Sequence, residues 1–310
     1  MRERDDKNQV IEMEKSTERK PDRQGWHKII RPRERLLRLD IRELWAYRYM
    51  VMILIRRDFV TQYKQTILGP AWAIIRPLLT TLVFTIFFGN LAKLTTADAV
   101  ITDDTVLPGF VFYMLGTVIW DYFSSVVNET SMTFQSNFQI MGKVYFPRQI
   151  MPVTIALSKL TSFVIQFALF VVIYLVCVFR GTAVVHVSWT IILFPLLLFQ
   201  TMMLGMCFGA IISSLTVKYR DLSMLLGFFM QVWRYGSPFA YGLMLIPASW
   251  LSIYMLNPFT PIITTIRYIM FGTGYFNWAF YLLSWAVIIA LAVVSLAVFN
   301  KTERNFIDTV

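Results

Sequence analysis

No phosphate-binding loop of the form G-x-x-x-x-G-K-[ST] occurs in this chain, so it offers no backbone cradle for nucleotide phosphates. Neither H-E-x-x-H nor G-x-S-x-G is present, which removes the common zinc-hydrolase and serine-hydrolase readings. Histidine is limited to His27 and His186, and cysteine to Cys177 and Cys207. Both cysteines fall inside apolar runs without a C-x-x-C, so they read as buried membrane thiols, not as a metal or redox site. Charge is scarce: Asp, Glu, Lys and Arg make up 15% of the residues, against about 25% in ordinary soluble proteins. The first stretch of chain has no apolar h-region, so no signal peptide is expected and the N-terminus is expected to remain cytoplasmic. Internal repeats and low-complexity tracts are also missing.

What is present is hydrophobic. Apolar residues account for 56% of the 310 residues, and the mean hydropathy is +0.56. The charge that exists is concentrated: residues 1–69 hold 17 of the 29 Lys and Arg and 11 of the 19 Asp and Glu. A polar segment followed by long apolar runs is a membrane-protein profile. The net charge of +10 suits a chain with basic cytoplasmic loops. Nucleic acid is not implied, because the aqueous part is short and carries no nucleic-acid motif.

The expected fold is an all-α integral membrane protein with six transmembrane helices. Apolar spans are expected over residues 70–92, 109–130, 152–179, 187–214, 221–241 and 277–299, each near the ~20 residues that cross ~30 Å of hydrocarbon. Residues 1–31 read as a disordered charged extension. In 32–69, Leu36, Leu37, Ile41, Leu44, Trp45, Met52 and Leu54 alternate with Arg35, Arg38, Arg42, Arg48, Arg56 and Arg57. That pattern predicts one or two basic amphipathic helices on the cytoplasmic leaflet. The stretch 244–273 is interrupted by Pro247, Pro258 and Pro261, so it reads as two short re-entrant helices in the outer leaflet. Six crossings place Lys143, Arg148, Lys218, Arg220, Lys301 and Arg304 inside; outside stand Asp98, Asp103 and Asp104 with Lys93, and, in the other outer segments, Arg180 and Arg267. With the N-terminal basic cluster added, the excess is inside, which satisfies the positive-inside rule with both termini cytoplasmic.

Arg76, Asp121, Lys159 and Arg234 fall within these spans. Such groups cost roughly 2.5–3.5 kcal/mol each on insertion scales and seek protein or water. Rise per residue puts Asp121 and Lys159 at similar depth in neighbouring spans, so the two are expected to pair, with Arg234 as the alternative partner of Asp121. Gly205 and Gly209 form a small-xxx-small pair that permits close helix approach, within the protomer or at a dimer seam.

Residues 57–80, RDFVTQYKQTILGPAWAIIRPLLT, carry Arg57, Asp58, Tyr63, Thr66, Leu68, Gly69, Trp72 and Pro77 in the pattern R-D-x-x-x-x-Y-x-x-[ST]-x-L-G-x-x-W-x-x-x-x-P. GKVYFPRQIMP (142–152), KYRDL (218–222), SPFAY (237–241) and NPFTP (257–261) follow in order. Together these segments resemble the ABC-2-type polysaccharide exporter permeases, which serve O-antigen, capsule and teichoic acid. The resemblance implies a homodimeric channel in the bacterial inner membrane, driven by two separate ABC ATPase subunits and moving a lipid-linked polysaccharide outward. It implies no catalytic residue, metal or cofactor in this chain, with ATP and Mg on the partner. It places contact with the ATPase on the loop Thr133–Arg148, through Phe138, Lys143, Tyr145 and Phe146, and on Tyr219, Arg220 and Asp221. Asp221 serves equally as a helix N-cap. Arg56, Arg57 and Arg76 become candidates for a lipid pyrophosphate. Arg234, flanked by Trp233 and Tyr235, becomes a candidate on the polymer's path. Sugars stack on rings, so Trp72, Phe84, Tyr113, Trp120, Phe123, Trp233, Tyr235 and Tyr241 are candidate channel aromatics. The competing readings are an ABC-2 drug or lipid exporter and a membrane-embedded glycosyl- or acyltransferase. The second needs convergent carboxylates, and only Asp121 and Glu129 are neighbours within the membrane.

Overall fold

The computed structural model describes residues 41–64, 66–91, 100–102, 105–137, 146–183, 189–272 and 274–308. The expected extension 1–31 and residues 32–40 of the interfacial segment lie outside the described residues, as do Phe138, Lys143 and Tyr145.

Helices dominate. In chain order the α-helices longer than a single turn are α1 (Ile41–Ala46), α2 (Arg48–Tyr63), α3 (Trp72–Phe84), α4 (Gly109–Ser131), α5 (Ile150–Phe179), α6 (Phe194–Thr216), α7 (Leu222–Tyr235), α8 (Ala248–Leu256), α9 (Phe259–Phe271) and α10 (Trp278–Asp308). A small antiparallel ribbon, β1 (Val100–Thr102) with β2 (Thr105–Val106), stands between α3 and α4. Five segments are long and apolar enough to cross a bilayer: Gly69–Gly89, Gly109–Ser131, Ile150–Phe179, Thr190–Thr216 and Trp278–Thr302. The stretch expected as a span over 221–241 is different. Its helix, α7, has 14 residues, or about 21 Å of rise. It stops at Tyr235, where Gly236 and Pro238 open an irregular segment. The proline-broken region 244–273 is divided as expected into two short helices, α8 and α9. Gly272 ends α9 in the left-handed conformation (φ 71°) that glycine adopts without strain.

Helix α4 is the centre of the bundle. Every residue from Val111 to Trp120 is buried, whereas α5 and α10 turn apolar side chains such as Val164, Val172, Ile289 and Val293 outward. Apolar groups facing outward are stable in lipid, so the inside–out contrast of a soluble core is not needed here. Close packing on α4 comes from glycine. A Cβ at Gly209 would lie 2.7 Å from Thr130 Cβ and 2.8 Å from Val127 O, and Gly205 presses on Val126. The small-xxx-small pair therefore seats α6 on α4 within one protomer.

A second, smaller cluster gathers Leu54 of α2, Phe134, Phe146, Ile150, Met151, Ala210 and Phe299. Phe134 and Phe299 stack with centroids 4.8 Å apart, and Gln149 donates to Asn300 Oδ1 at 2.6 Å. This cluster fastens α2 and both ends of the loop after α4 to the bundle. Opposite Leu54, helix α2 exposes Tyr49, Met52, Ile53 and Val60, a stripe at helical spacing that continues Trp45 of α1. Apolar groups thus occupy two faces: one packs on the protein, and the other is free to meet lipid.

Candidate functional site

A large polar cavity of about 630 Å³ opens between α2, α3, α4, α5 and α7. Its lining follows helix periodicity. Helix α4 contributes Asp121, Ser124, Ser125 and Asn128, spaced i, i+3, i+4, i+7, and α5 contributes Lys159, Ser162, Phe163 and Gln166 at the same spacing. Trp72, Ala73, Arg76 and Thr80 present one face of α3, Gln62 and Tyr63 close the end of α2, and Arg234 enters from α7. Two polar stripes on otherwise apolar helices face each other, which removes hydroxyls, amides and charges from lipid.

The hydrogen bonds within the cavity tie helices together. Lys159 Nζ forms an ion pair with Glu129 and donates to Gln62 Oε1 at 3.1 Å. Tyr63 OH and Ser162 Oγ are hydrogen-bonded at 3.2 Å, with either hydroxyl able to donate. Asn128 Nδ2 donates to Ser124 Oγ at 3.2 Å, and Tyr122 OH donates to Ala156 O at 3.4 Å. The interhelical contacts among these pin the end of α2 to α5, and α5 to α4.

The expected Asp121–Lys159 pair is not formed: Lys159 pairs with Glu129, and Asp121 lies within electrostatic reach of Arg234 and Arg76. The cause is side-chain direction. In every helix Cβ tilts toward the N-terminus, and α4 and α5 run in opposite directions. The Asp121 carboxyl therefore points toward the start of α4 while the Lys159 stem reaches toward the start of α5, where Glu129 stands near the end of α4. Similar depths of the Cα atoms do not bring the charges together.

Of the other residues singled out from sequence, Trp72, Arg76, Trp120 and Arg234 line this same cavity. Trp120 is 2% exposed and packs edge-on against Phe259, centroids 5.2 Å apart. Arg234 packs against both Phe84 and Phe239, its guanidinium carbon 5.2 and 4.7 Å from the two ring centroids, while the rings meet each other edge-on with centroids 5.2 Å apart. Its Nε and Nη2 are buried without a hydrogen-bond partner. The remaining candidates are elsewhere. Trp233 donates to Asn257 Oδ1 at 3.0 Å and packs on Phe123 and Phe208. Tyr113 is buried against Phe112, Tyr235 is exposed, and Tyr241 OH donates to Tyr235 O at 3.0 Å. Arg56 and Arg57 stand on the exposed side of α2, where Arg57 pairs with Asp58 at 2.7 Å.

The residues expected to meet a partner divide. Tyr219, Arg220 and Asp221 are exposed; Asp221 caps α7 through its backbone carbonyl, which accepts from Met224 N and Leu225 N, without a side-chain cap bond. Phe146 is 5% exposed, so its ring anchors the loop end to the second cluster instead of being offered to a partner.

Gln62, Ser124, Ser125, Asn128, Ser162 and Gln166 were not singled out from sequence. For the five on α4 and α5 the signal was available, since each extends the helical stripe of Asp121 or Lys159; Gln62, on α2, had no such marker. Arg267, assigned to an outer loop, is likewise internal at 3% exposure. Its Nη1 donates to Pro238 O (2.6 Å) and Tyr241 O (3.0 Å), its Nη2 to Phe239 O (2.5 Å), and its guanidinium lies 3.8 Å from the Phe112 ring centroid.

Comparison with known proteins agrees with this architecture. The chain is similar to the O-antigen export system permease protein RfbA of Myxococcus xanthus, 25% identical over 235 residues covering 74% of this chain and 84% of that protein. It is also similar to an O-antigen export system permease protein RfbA of Klebsiella pneumoniae, 24% identical over 260 residues covering 84% and 94%. The family model for ABC-2 type transporters matches residues 49–271, from α2 through α9 and across every wall of the polar cavity, and the chain belongs to the ABC-2 type transporter family.

Proposed function

We propose that this chain is the permease subunit of an ABC exporter that moves a lipid-linked cell-surface polysaccharide out of the bacterial cytoplasm. The observation that carries this reading is the similarity to O-antigen export permeases along 84% and 94% of their length. Two copies of the chain enclose the path, and two separate ATPase subunits supply the energy. Six crossings leave both termini cytoplasmic, with α7 completing its passage through the irregular segment that follows it. The homodimer is supported by α7, whose Met224, Leu225, Phe228 and Val232 are more than half exposed along one face. A helix too short to cross alone gains from a protein neighbour. The exposed Tyr219–Asp221 loop and the loop after α4, including Phe138, Lys143 and Tyr145, form the surface offered to the ATPase. The cavity between α3, α4, α5 and α7 receives the polar part of the substrate, with Trp72 as a stacking surface.

The test is deletion of the gene in the bacterium that encodes it. Lipid-linked polymer is expected to accumulate on the cytoplasmic face, and surface polymer to return on complementation. Affinity purification of the complementing chain is expected to bring down an ABC ATPase. Normal surface polysaccharide in the deletion strain overturns the reading, and efflux of a drug or lipid by the same strain selects the alternative within the family.

A further inference from the structure

We propose that the polar cavity is an anion-binding site for a phosphate or pyrophosphate ester, with Arg234 as its principal donor and Asp121 as a built-in competitor. The identity of that anion as the headgroup of an exported lipid-linked polymer rests on the function proposed above; the anion site itself does not.

Arg234 carries the argument. Its Nε and Nη2, the two nitrogens of one guanidinium edge, are buried and unpartnered. A buried guanidinium with unmade hydrogen bonds is costly unless something completes it. The guanidinium carbon stands 5.2 and 4.7 Å from the Phe84 and Phe239 ring centroids, and neither ring offers that edge an oxygen acceptor. The Nε/Nη2 edge has the fork geometry that two oxygens of one phosphate match. A second cation, Arg76, lines the same cavity. Asp121 is within electrostatic reach of both arginines, yet the ion pairs among the described residues are Arg57–Asp58 and Lys159–Glu129. Two cations and one carboxylate, drawn from three helices, thus face one cavity without closing on each other. The balance is positive, and Ser124, Ser125 and Asn128 stand in the same lining as further donors. A volume of about 630 Å³ exceeds a single ion and is in the range of sites that hold an organic ligand. An anion entering would gain the fork of Arg234 and the field of Arg76, and it would be opposed by Asp121. The carboxylate keeps the arginines from binding indiscriminately and makes release possible.

The experiment is equilibrium binding to the full-length chain in nanodiscs of neutral phosphatidylcholine, with inorganic pyrophosphate, farnesyl diphosphate and farnesol as probes. Saturable binding of a diphosphate is expected, with farnesol unbound. Arg234→Gln is expected to weaken it about tenfold or more, the scale of one charge-assisted bond. Asp121→Asn is expected to tighten it several-fold, a gain that misfolding cannot produce. Farnesyl diphosphate binding far more tightly than pyrophosphate identifies a lipid headgroup as the source, and equal binding identifies a free anion. The proposal is overturned if farnesol binds as well as its diphosphate, if a normally melting Arg234→Gln chain binds like wild type, or if Asp121→Asn brings no gain. Failure of the export reading is separable: Arg234-dependent binding in a protein whose deletion leaves surface polysaccharide intact keeps the site and discards the substrate.

Discussion

Gly116 is the tightest point of the bundle, and Gly116→Ala follows from its surroundings with little freedom. A Cβ built there lies 1.9 Å from Phe239 O, 2.9 Å from Phe239 C and 3.0 Å from Arg267 Nη2. The backbone carbonyl must retreat by more than 1 Å to reach ordinary contact (about 3.3 Å), and that carbonyl accepts from Arg267 Nη2 at 2.5 Å. Overpacking of a close-packed interior costs about 1–3 kcal/mol, and losing a hydrogen bond to a buried charged group adds about 1.5–3 kcal/mol. The expected loss is about 3 kcal/mol or more, which corresponds to a melting temperature lowered by about 6 °C or more. Thermal unfolding in detergent, followed by loss of the monodisperse gel-filtration peak, reads this directly. Gly89→Ala is the control, because its nearest neighbours would be at 3.9 and 4.0 Å, and it is expected to melt with wild type. A Gly116→Ala chain that melts with the control refutes the close approach of α4 to the segment after α7, and with it the role given to Arg267.

Two further outcomes test the cavity wall. Glu129→Lys and Lys159→Glu are each expected to lower thermal stability by about 1 kcal/mol, modest because the Glu129 side chain is 50% exposed, and the double exchange is expected to restore it. The same exchange between Asp121 and Lys159 is expected to bring no rescue; rescue there would reinstate the pair that the structure denies. Tyr63→Phe and Ser162→Ala are each expected to cost about 1 kcal/mol and the double variant no more than either, with faster hydrogen exchange over residues 48–63 as the readout; additive losses would show that the two hydroxyls do not meet.

The long apolar helices were legible because hydrocarbon thickness imposes length and hydropathy together, and five helices long and apolar enough to cross begin and end near the expected residues. The exception, 221–241, shows the limit. Composition over that window is apolar enough to cross, but Gly236 and Pro238 end the helix, and apolar content alone does not say whether a run stays helical. The intramembrane charges were legible as anomalies, and the structure places Arg76, Asp121, Lys159 and Arg234 around one cavity. Their pairing was not, because equal depth along two axes ignores the direction of Cβ in antiparallel helices. Arg267 was misplaced for a related reason: a proline-broken stretch reads as a surface, whereas Arg267 packs inward against Phe112 and gathers three backbone carbonyls.

These bonds constrain how the cavity changes shape. Arg234 is the penultimate residue of α7, and the chain just beyond it is fastened twice. Asn257 accepts from Trp233 Nε1 and donates to Ser237 Oγ at 2.9 Å, and Arg267 holds the carbonyls of Pro238, Phe239 and Tyr241. Asn257 lies between α8 and α9, and Arg267 belongs to α9, so the end of α7 is bonded to both short helices. On the opposite wall, Lys159 and Ser162 of α5 bond Gln62 and Tyr63 at the end of α2. The cavity therefore lies between two hydrogen-bonded staples, one toward α2 and one toward α8 and α9. A displacement of Arg234 by a ligand is not local: it either carries the two short helices with α7 or breaks bonds from a buried guanidinium, and the latter is the costlier course. Packed elements with discrete bonded arrangements transmit a shift where flexible ones absorb it, and it is the stapled segment after α7, not the length of α7 itself, that gives this site a mechanical connection to the rest of the bundle.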